Sequence, residues 1–247
     1  MINKIFTGIE FIDKGIGGIY QYGNYLICGE KETGKTVLTS QFFVEGLKKN
    51  EMCLFVMYEN PGSYLTEIQN SLGFDFSVYL KKGIFNILQY EKTGKSSSAK
   101  LQQYMFELST FINKKGVERV VIDFLTVIDM LDEKTTEEEI KDFVKFLEKL
   151  HVTALLLLDK PRSPEMFKIE RSLIKETVGT FRIEKKRSET NGRYFYNMEI
   201  EKLAGHFPPF PAWNFEIFKH AGSKQITESS KISYSNIKEI KKTEEGG

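Results

Sequence analysis

Between Cys28 and Val37 the chain reads CGEKETGKTV, and these residue types at this spacing suit one task, gripping a phosphate. Gly29, Glu30, Lys31, Glu32, Thr33, Gly34, Lys35 and Thr36 spell G-x-x-x-x-G-K-T, and Val37 opens the apolar run that follows. Glycines let backbone N–H groups close around phosphate oxygens, and a helix starting here would add the positive end of its dipole. Lys35 would then meet the outer phosphates of a bound ATP, and Thr36 would ligate Mg²⁺. Gly94-Lys95-Ser96 repeats the last letters of the pattern, but Gln89 stands where the first glycine belongs. That second copy is read as a loop.

A nucleotide site also needs carboxylates at the ends of neighbouring strands. RVVID supplies Asp123 after three apolar residues, placed to organise Mg²⁺. Glu59 follows MCLFVMY at the end of another apolar run, where ligands of open α/β sheets bind, and it could activate an attacking water. Either acid could equally cap a turn; beside the phosphate loop, Asp123 favours function and Glu59 stands even between the two.

These residues need a frame. Short apolar runs at Tyr25–Cys28, Met52–Met57, Ile84–Leu88, Val117–Ile122 and Thr153–Leu158 alternate with amphipathic segments, the signature of a largely parallel sheet covered by helices. From Ser98 to Lys115, residues Leu101, Tyr104, Met105, Leu108, Phe111 and Ile112 recur at helical spacing and predict one buried stripe. A second helix is announced by Thr135 and Thr136 as caps and by Glu137–Glu139 in its first turn, with Ile140, Phe143, Val144, Leu147 and Leu150 facing inward. After Val178 the period changes to two. Phe181 and Ile183 precede Asn191-Gly192, and Tyr194, Tyr196, Met198 and Ile200 follow it, so an antiparallel hairpin is expected. The phosphate loop thus falls between a strand and a helix, the setting the motif requires.

Composition bounds what the site can serve. With 247 residues and 40% hydrophobic content the chain can bury a sizeable core. Lys plus Arg (35) nearly balance Asp plus Glu (34), so no global field draws it to nucleic acid or to an anionic membrane. No apolar run approaches the roughly 20 residues of a membrane span, no secretion signal opens the chain, and Cys28 and Cys53 sit in apolar runs without a CxxC pair. The expectation is a cytoplasmic protein with two free thiols. A domain is expected over residues 1–218, followed at 219–247 by a flexible tail that is polar and Ser-rich.

The order of these motifs resembles the KaiC and RecA-like ATPase group. Residues 7–43 match its T-G-I-x-x-L-D-x-x-L-G-G-G element, phosphate loop and L-x-x-Q-F helix through Thr7, Gly8, Ile9, Asp13, Gly17, Gly18, Leu38, Gln41 and Phe42. VMYEN, VVIDFL and MEIEKLAGHFPPFPAWNFEI extend the likeness over about Ile5 to Phe218. The resemblance implies a RecA-type α/β fold, ATP and Mg²⁺ binding, and a ring-shaped homo-oligomer, expected to be a hexamer. It implies a KaiC-like regulatory ATPase acting as a nucleotide-dependent switch or assembly factor with a protein partner. Two alternatives are a RadA-type recombinase paralogue on single-stranded DNA and a FlaH-like, motor-associated scaffold. The acidic loop DMLDEKTTEEE opposes nucleic acid, while Lys160, Arg162, Lys168, Arg171 and Lys175 in the next loop keep it open.

The departures from the family pattern concern catalysis. Glu59 is followed by Asn60 rather than a second acid, and the K-x-R-G-S element reads Lys202-Leu203-Ala204-Gly205-His206. Ala204 stands where the family's arginine would reach a neighbour's nucleotide, so hydrolysis is expected to be slow, with Lys202 supplying part of the missing charge. Phe124 replaces a small hydroxyl residue after the magnesium acid. Asp159 occupies the place of a polar sensor, where it would repel the terminal phosphate unless Lys160 or Mg²⁺ offset it.

Overall fold

The computed structural model describes residues 3–58, 60–90, 97–132, 134–189, 192–218 and 222–225. At the amino end β1 (Lys4–Ile5) and β2 (Ile19–Tyr20) form a small antiparallel ribbon around α1 (Glu10–Ile16). There follow β3 (Asn24–Gly29), α2 (Lys35–Lys48), β4 (Cys53–Met57), α3 (Pro61–Leu72), α4 (Ser77–Lys81), β5 (Phe85–Gln89) and α5 (Ser98–Lys115). The second half brings β6 (Arg119–Asp123), α6 (Leu125–Ile128), α7 (Thr136–Lys149), β7 (Thr153–Asp159), α8 (Pro164–Glu176), β8 (Gly179–Arg187), β9 (Tyr194–Leu203), β10 (Ala212–Phe218) and β11 (Gly222–Gln225).

The main sheet has nine strands in the order β11-β10-β9-β8-β3-β7-β6-β4-β5. From β8 to β5 every pairing is parallel, and from β8 outward to β11 every pairing is antiparallel. This is the expected mostly parallel α/β sheet with antiparallel carboxyl-terminal strands. Alternation along the central strands serves two cores. Tyr25, Ile27, Phe55, Leu155 and Leu157 face the layer of α1, α2 and α3, while Leu26, Cys28, Val56, Leu156 and Leu158 face α5, α7 and α8. Because both faces are covered, these strands read as unbroken apolar runs. Cys28 and Cys53 are free and buried, and burial pushes the Cys28 thiol up to about 12.

Local rules explain the element ends. Helix α5 spans the expected residues, starting where the Ser97 side chain accepts from Lys100 N–H and stopping at left-handed Gly116. At α7 the structure differs from the reading of Thr135 as a cap, since its hydroxyl makes no capping bond. Glu139 does the tying there, accepting from Asp132 N–H at 2.7 Å and from Ser98 Oγ at 2.5 Å. The family element at the amino end also has a physical role. Asp13 accepts from Thr7 N–H and Oγ1, both at 2.8 Å, and from Gly8 N–H at 2.9 Å, closing the turn into α1.

Strand β11 lies within the segment expected to be a tail. GSKQ has no apolar alternation, and it is held instead by pairing with β10 and by Gln41 of α2, whose Oε1 accepts from Ser223 N–H (3.1 Å) and Oγ (2.6 Å). Residues 226–247 lie outside the described residues, as does the second GKS at 94–96. Trp213 and Phe215 pack on Phe11 with ring centroids 5.6 and 5.2 Å away, whereas Phe207 is 90% exposed.

Candidate functional site

Strand β3 is the middle of the sheet, and its carboxyl end is where the phosphate motif falls. β3 stops at Gly29, α2 starts at Lys35, and residues 30–34 make the turn. The two motif glycines are sterically required. A Cβ on Gly29 would lie 2.5 Å from Ile183 O and 2.9 Å from Thr33 Oγ1, and one on Gly34, whose φ is +84°, would lie 2.5 Å from Ile217 Cδ1. Glu32 also has positive φ, at 61°. Thr33 is buried and donates from Oγ1 to Glu30 O at 2.8 Å, pinning the turn, while Lys31 and Glu32 are exposed at its crest. Val37 is buried and anchors the first turn of α2. Thr36 is half-buried on that turn; its carbonyl accepts from Ser40 Oγ at 2.7 Å, and Ser40 meets Tyr64 OH of α3 at 2.9 Å.

Lys35 is held inside this turn. Its ammonium donates to Gly29 O (2.8 Å) and Glu30 O (2.6 Å) and pairs with Asp159 Oδ1 at 3.0 Å. Asp159 is the last residue of β7 and lies opposite Gly29 in the parallel register. Of the two groups named as able to offset this acid, Lys160 or Mg²⁺, Lys160 is engaged elsewhere. Lys160 donates its backbone N–H to Gly29 O (2.9 Å) and its ammonium to Glu30 Oε1 (3.1 Å), so the charge facing Asp159 comes from Lys35 itself.

Asp123 ends β6, one strand beyond β7, opposite Leu157. It is half-buried, and its Oδ1 accepts from Leu125 N–H at 3.2 Å. Phe124, which stands where the family pattern has a small hydroxyl residue, buries its ring edge-on against Phe143 at 5.9 Å. The hydroxyl comes two residues later, where Thr126 Oγ1 donates to Asp123 O at 2.7 Å. Beyond β4, Tyr58 OH donates to Asp129 Oδ2 at 2.9 Å. The Tyr58 phenol titrates above its usual range through loss of hydration and the Asp129 carboxylate, with Asp123 adding to the effect. Glu59, the candidate water-activating acid, lies outside the described residues.

Sequence reasoning missed part of this wall. A cleft of about 120 Å³ beside Gly29 is lined by Glu30, Lys160, Arg182, Ile183, Glu184 and Lys185. Alternation along β8 and β10 marks Ile183 and Ile217 as inward-facing, but only the sheet order puts them against the phosphate turn. Two basic residues of β8 are ion-paired: Arg182 with Glu170 (3.1 Å) and Glu201 (2.7 Å), Lys186 with Glu184 (3.5 Å) and Glu199 (3.7 Å).

Lys202 is also placed differently from the expectation. Its ammonium donates to Ile174 O (2.8 Å), Lys175 O (2.7 Å) and Thr177 O (2.6 Å), satisfying the carbonyl end of α8. An ammonium has three donors, and all three are used here. Burial lowers its pKa. Ala204 nearby is exposed, and His206 approaches Tyr20 OH at 3.4 Å.

The family model described as ATPase: KaiC matches residues 5–229. The chain belongs to the KaiC ATPase family. The circadian clock oscillator protein KaiC of Picosynechococcus sp. is 29% identical over 126 residues, which cover 51% of this chain and 24% of that protein. A UPF0273 protein of Pyrococcus horikoshii is 27% identical over 140 residues, 52% of this chain and 57% of that protein. The match thus takes in about a quarter of the one and somewhat over half of the other. A solved KaiC-like protein from Pyrococcus horikoshii superposes with a TM-score of 0.75 at 22% identity, covering 92% of this chain and all of that one, and so shares the fold. The general function of the family, ATP binding by a RecA-type P-loop domain, is therefore that of this chain. Among the described residues no helix is long and apolar enough to cross a membrane.

Proposed function

We propose that this KaiC-family domain binds MgATP at Gly29–Val37, hydrolyses it slowly, and works as a nucleotide-dependent switch or assembly factor within a homo-oligomer. The observation that carries the reading is the shape of the turn after β3. Its glycines allow a backbone path pressed against β8 and β10 that a Cβ would block, and it leads into a helix start that favours anions. Among the described residues no group of three or more His, Cys, Asp or Glu could hold a metal ion. Mg²⁺ here would lean on Thr36, Asp123 and the phosphates, in keeping with its preference for few protein oxygens, and would neutralise phosphate charge. Lys35 would contact the outer phosphates, and Glu59 would orient the attacking water.

Slow turnover follows from what the oxyanions lack. Ala204 brings no cation toward a neighbouring subunit, and Lys202 is committed to α8. An arginine at such a place contributes about 10³ to 10⁵ in rate. Steady-state phosphate release is the test. The wild type is expected well below the about 1 to 100 s⁻¹ of kinases, Glu59→Gln is expected to abolish the residue of activity, and Ala204→Arg to raise it. Fast wild-type turnover, or full activity in Glu59→Gln, would show that the catalytic groups are wrongly assigned.

A further inference from the structure

We infer that Asp159 sets how the site discriminates nucleoside triphosphate from diphosphate, by competing with the terminal phosphate for Lys35. The inference rests on the nucleotide-binding reading above. It starts from the full coordination of one ammonium: two backbone carbonyls, Gly29 O and Glu30 O, and one carboxylate oxygen of Asp159. Lys35 has three donors, so a phosphate oxygen must displace at least one partner.

The partners are not equivalent. A carbonyl that loses Lys35 is neutral and can turn to water. Asp159 would remain as an anion beside the phosphate that displaced it. The side chains of Lys35 and Asp159 are only 11% and 30% exposed, so water screens this contact less than it screens a surface pair. Nor can the carboxylate withdraw with its strand. β7 pairs with β3 from Ala154 to Asp159, and the next residue fastens it again through Lys160 N–H to Gly29 O at 2.9 Å. The neighbouring cation is engaged elsewhere, since the Lys160 ammonium pairs with Glu30.

The repulsion grows with charge near Lys35. A triphosphate brings its outermost and most highly charged group to that ammonium, whereas a diphosphate brings less charge there. The carboxylate therefore weakens triphosphate binding more than diphosphate binding, and the preference of the site is written in one residue of a neighbouring strand.

Titration calorimetry with MgATP and MgADP tests this, with the β,γ-imido analogue in place of ATP if turnover is measurable. Asp159→Asn keeps size and an acceptor and removes only the charge. It is expected to tighten MgATP about tenfold and MgADP less than about threefold, the scale of one charge contact at intermediate dielectric. Asp159→Ser reads the same ratio if the amide variant melts below the assay temperature. Glu10→Gln, which breaks only the exposed pair with Lys14 in α1, is expected to leave the ratio unchanged. Equal tightening of both nucleotides, or weaker MgATP binding in the variants, overturns the inference. A wild type that binds neither nucleotide is a different result, for it sinks the nucleotide reading itself.

Discussion

Two lysines at opposite ends of the machinery each gather backbone carbonyls, yet their surroundings give them opposite careers. Lys202 takes the last carbonyls of α8 with all three donors and faces no competing ligand. Lys35 takes two carbonyls and one carboxylate, in a turn whose glycines let it pack close against β8 and β10. What separates a structural cation from a functional one is therefore the exchangeability of its partners. A helix end cannot be replaced without fraying the helix. A carboxylate and a loop carbonyl can be replaced by phosphate oxygens.

The comparison is broken most directly at Lys35. Ligand at about 100 times its dissociation constant adds about 2.7 kcal/mol to the folded state, so MgATP is expected to raise the melting temperature of the wild type. In Lys35→Ala, which also loses two carbonyl bonds and the pair with Asp159, that rise is expected to vanish when read against the variant's own melt without nucleotide. An equal shift in the variant would show that the turn after β3 does not hold the phosphates.

At Lys202 the pattern is expected to invert. Lys202→Met keeps the stem but leaves three carbonyls at the end of α8 to water, and bonds from a charged donor are worth about 1.5 to 3 kcal/mol net. Urea unfolding is expected to show a loss of about 2 kcal/mol, with nucleotide affinity unchanged. If instead affinity falls and stability does not, Lys202 leaves α8 to serve a phosphate, and the expectation drawn from the family pattern regains its force.

Why one lysine was legible in the sequence and the other was not has a physical answer. Lys35 belongs to a local motif, in which one turn supplies glycines, ammonium and helix start within eight residues. Local chemistry survives in sequence. The same holds for α5, whose stripe and Ser97 and Gly116 caps lie within one segment, and for the central strands, whose two buried faces make continuous apolar runs. The partners of Lys202 come from α8, 25 to 28 residues earlier. Asp159 meets Lys35 only because β7 lies beside β3, and Ile217 reaches Gly34 from β10. Strand β11 escaped for another reason. Its hold is backbone pairing and one glutamine, neither of which leaves an apolar signature.

The smallest expected effect sharpens the contrast within the phosphate turn itself. Two ion pairs bind β7 to this turn: Lys35 with Asp159 inside, and Lys160 with Glu30 outside, the latter 3.1 Å apart. The outer side chains are 53% and 58% exposed, so water and salt screen them, and such pairs contribute from nothing to about 1 kcal/mol. Glu30→Gln is therefore expected to shift stability by less than about 0.5 kcal/mol at ordinary ionic strength, and by still less in 1 M salt, where the screening length falls to about 3 Å. The backbone bond from Lys160 to Gly29 O survives the change, so the turn keeps its seat against β7. Chemical denaturation at low and high salt reads both quantities. A loss above about 1 kcal/mol, or one indifferent to salt, would mean that the outer pair shapes the turn as firmly as the inner one. The difference in exposure between the two pairs would then have no bearing on which of them yields to a phosphate.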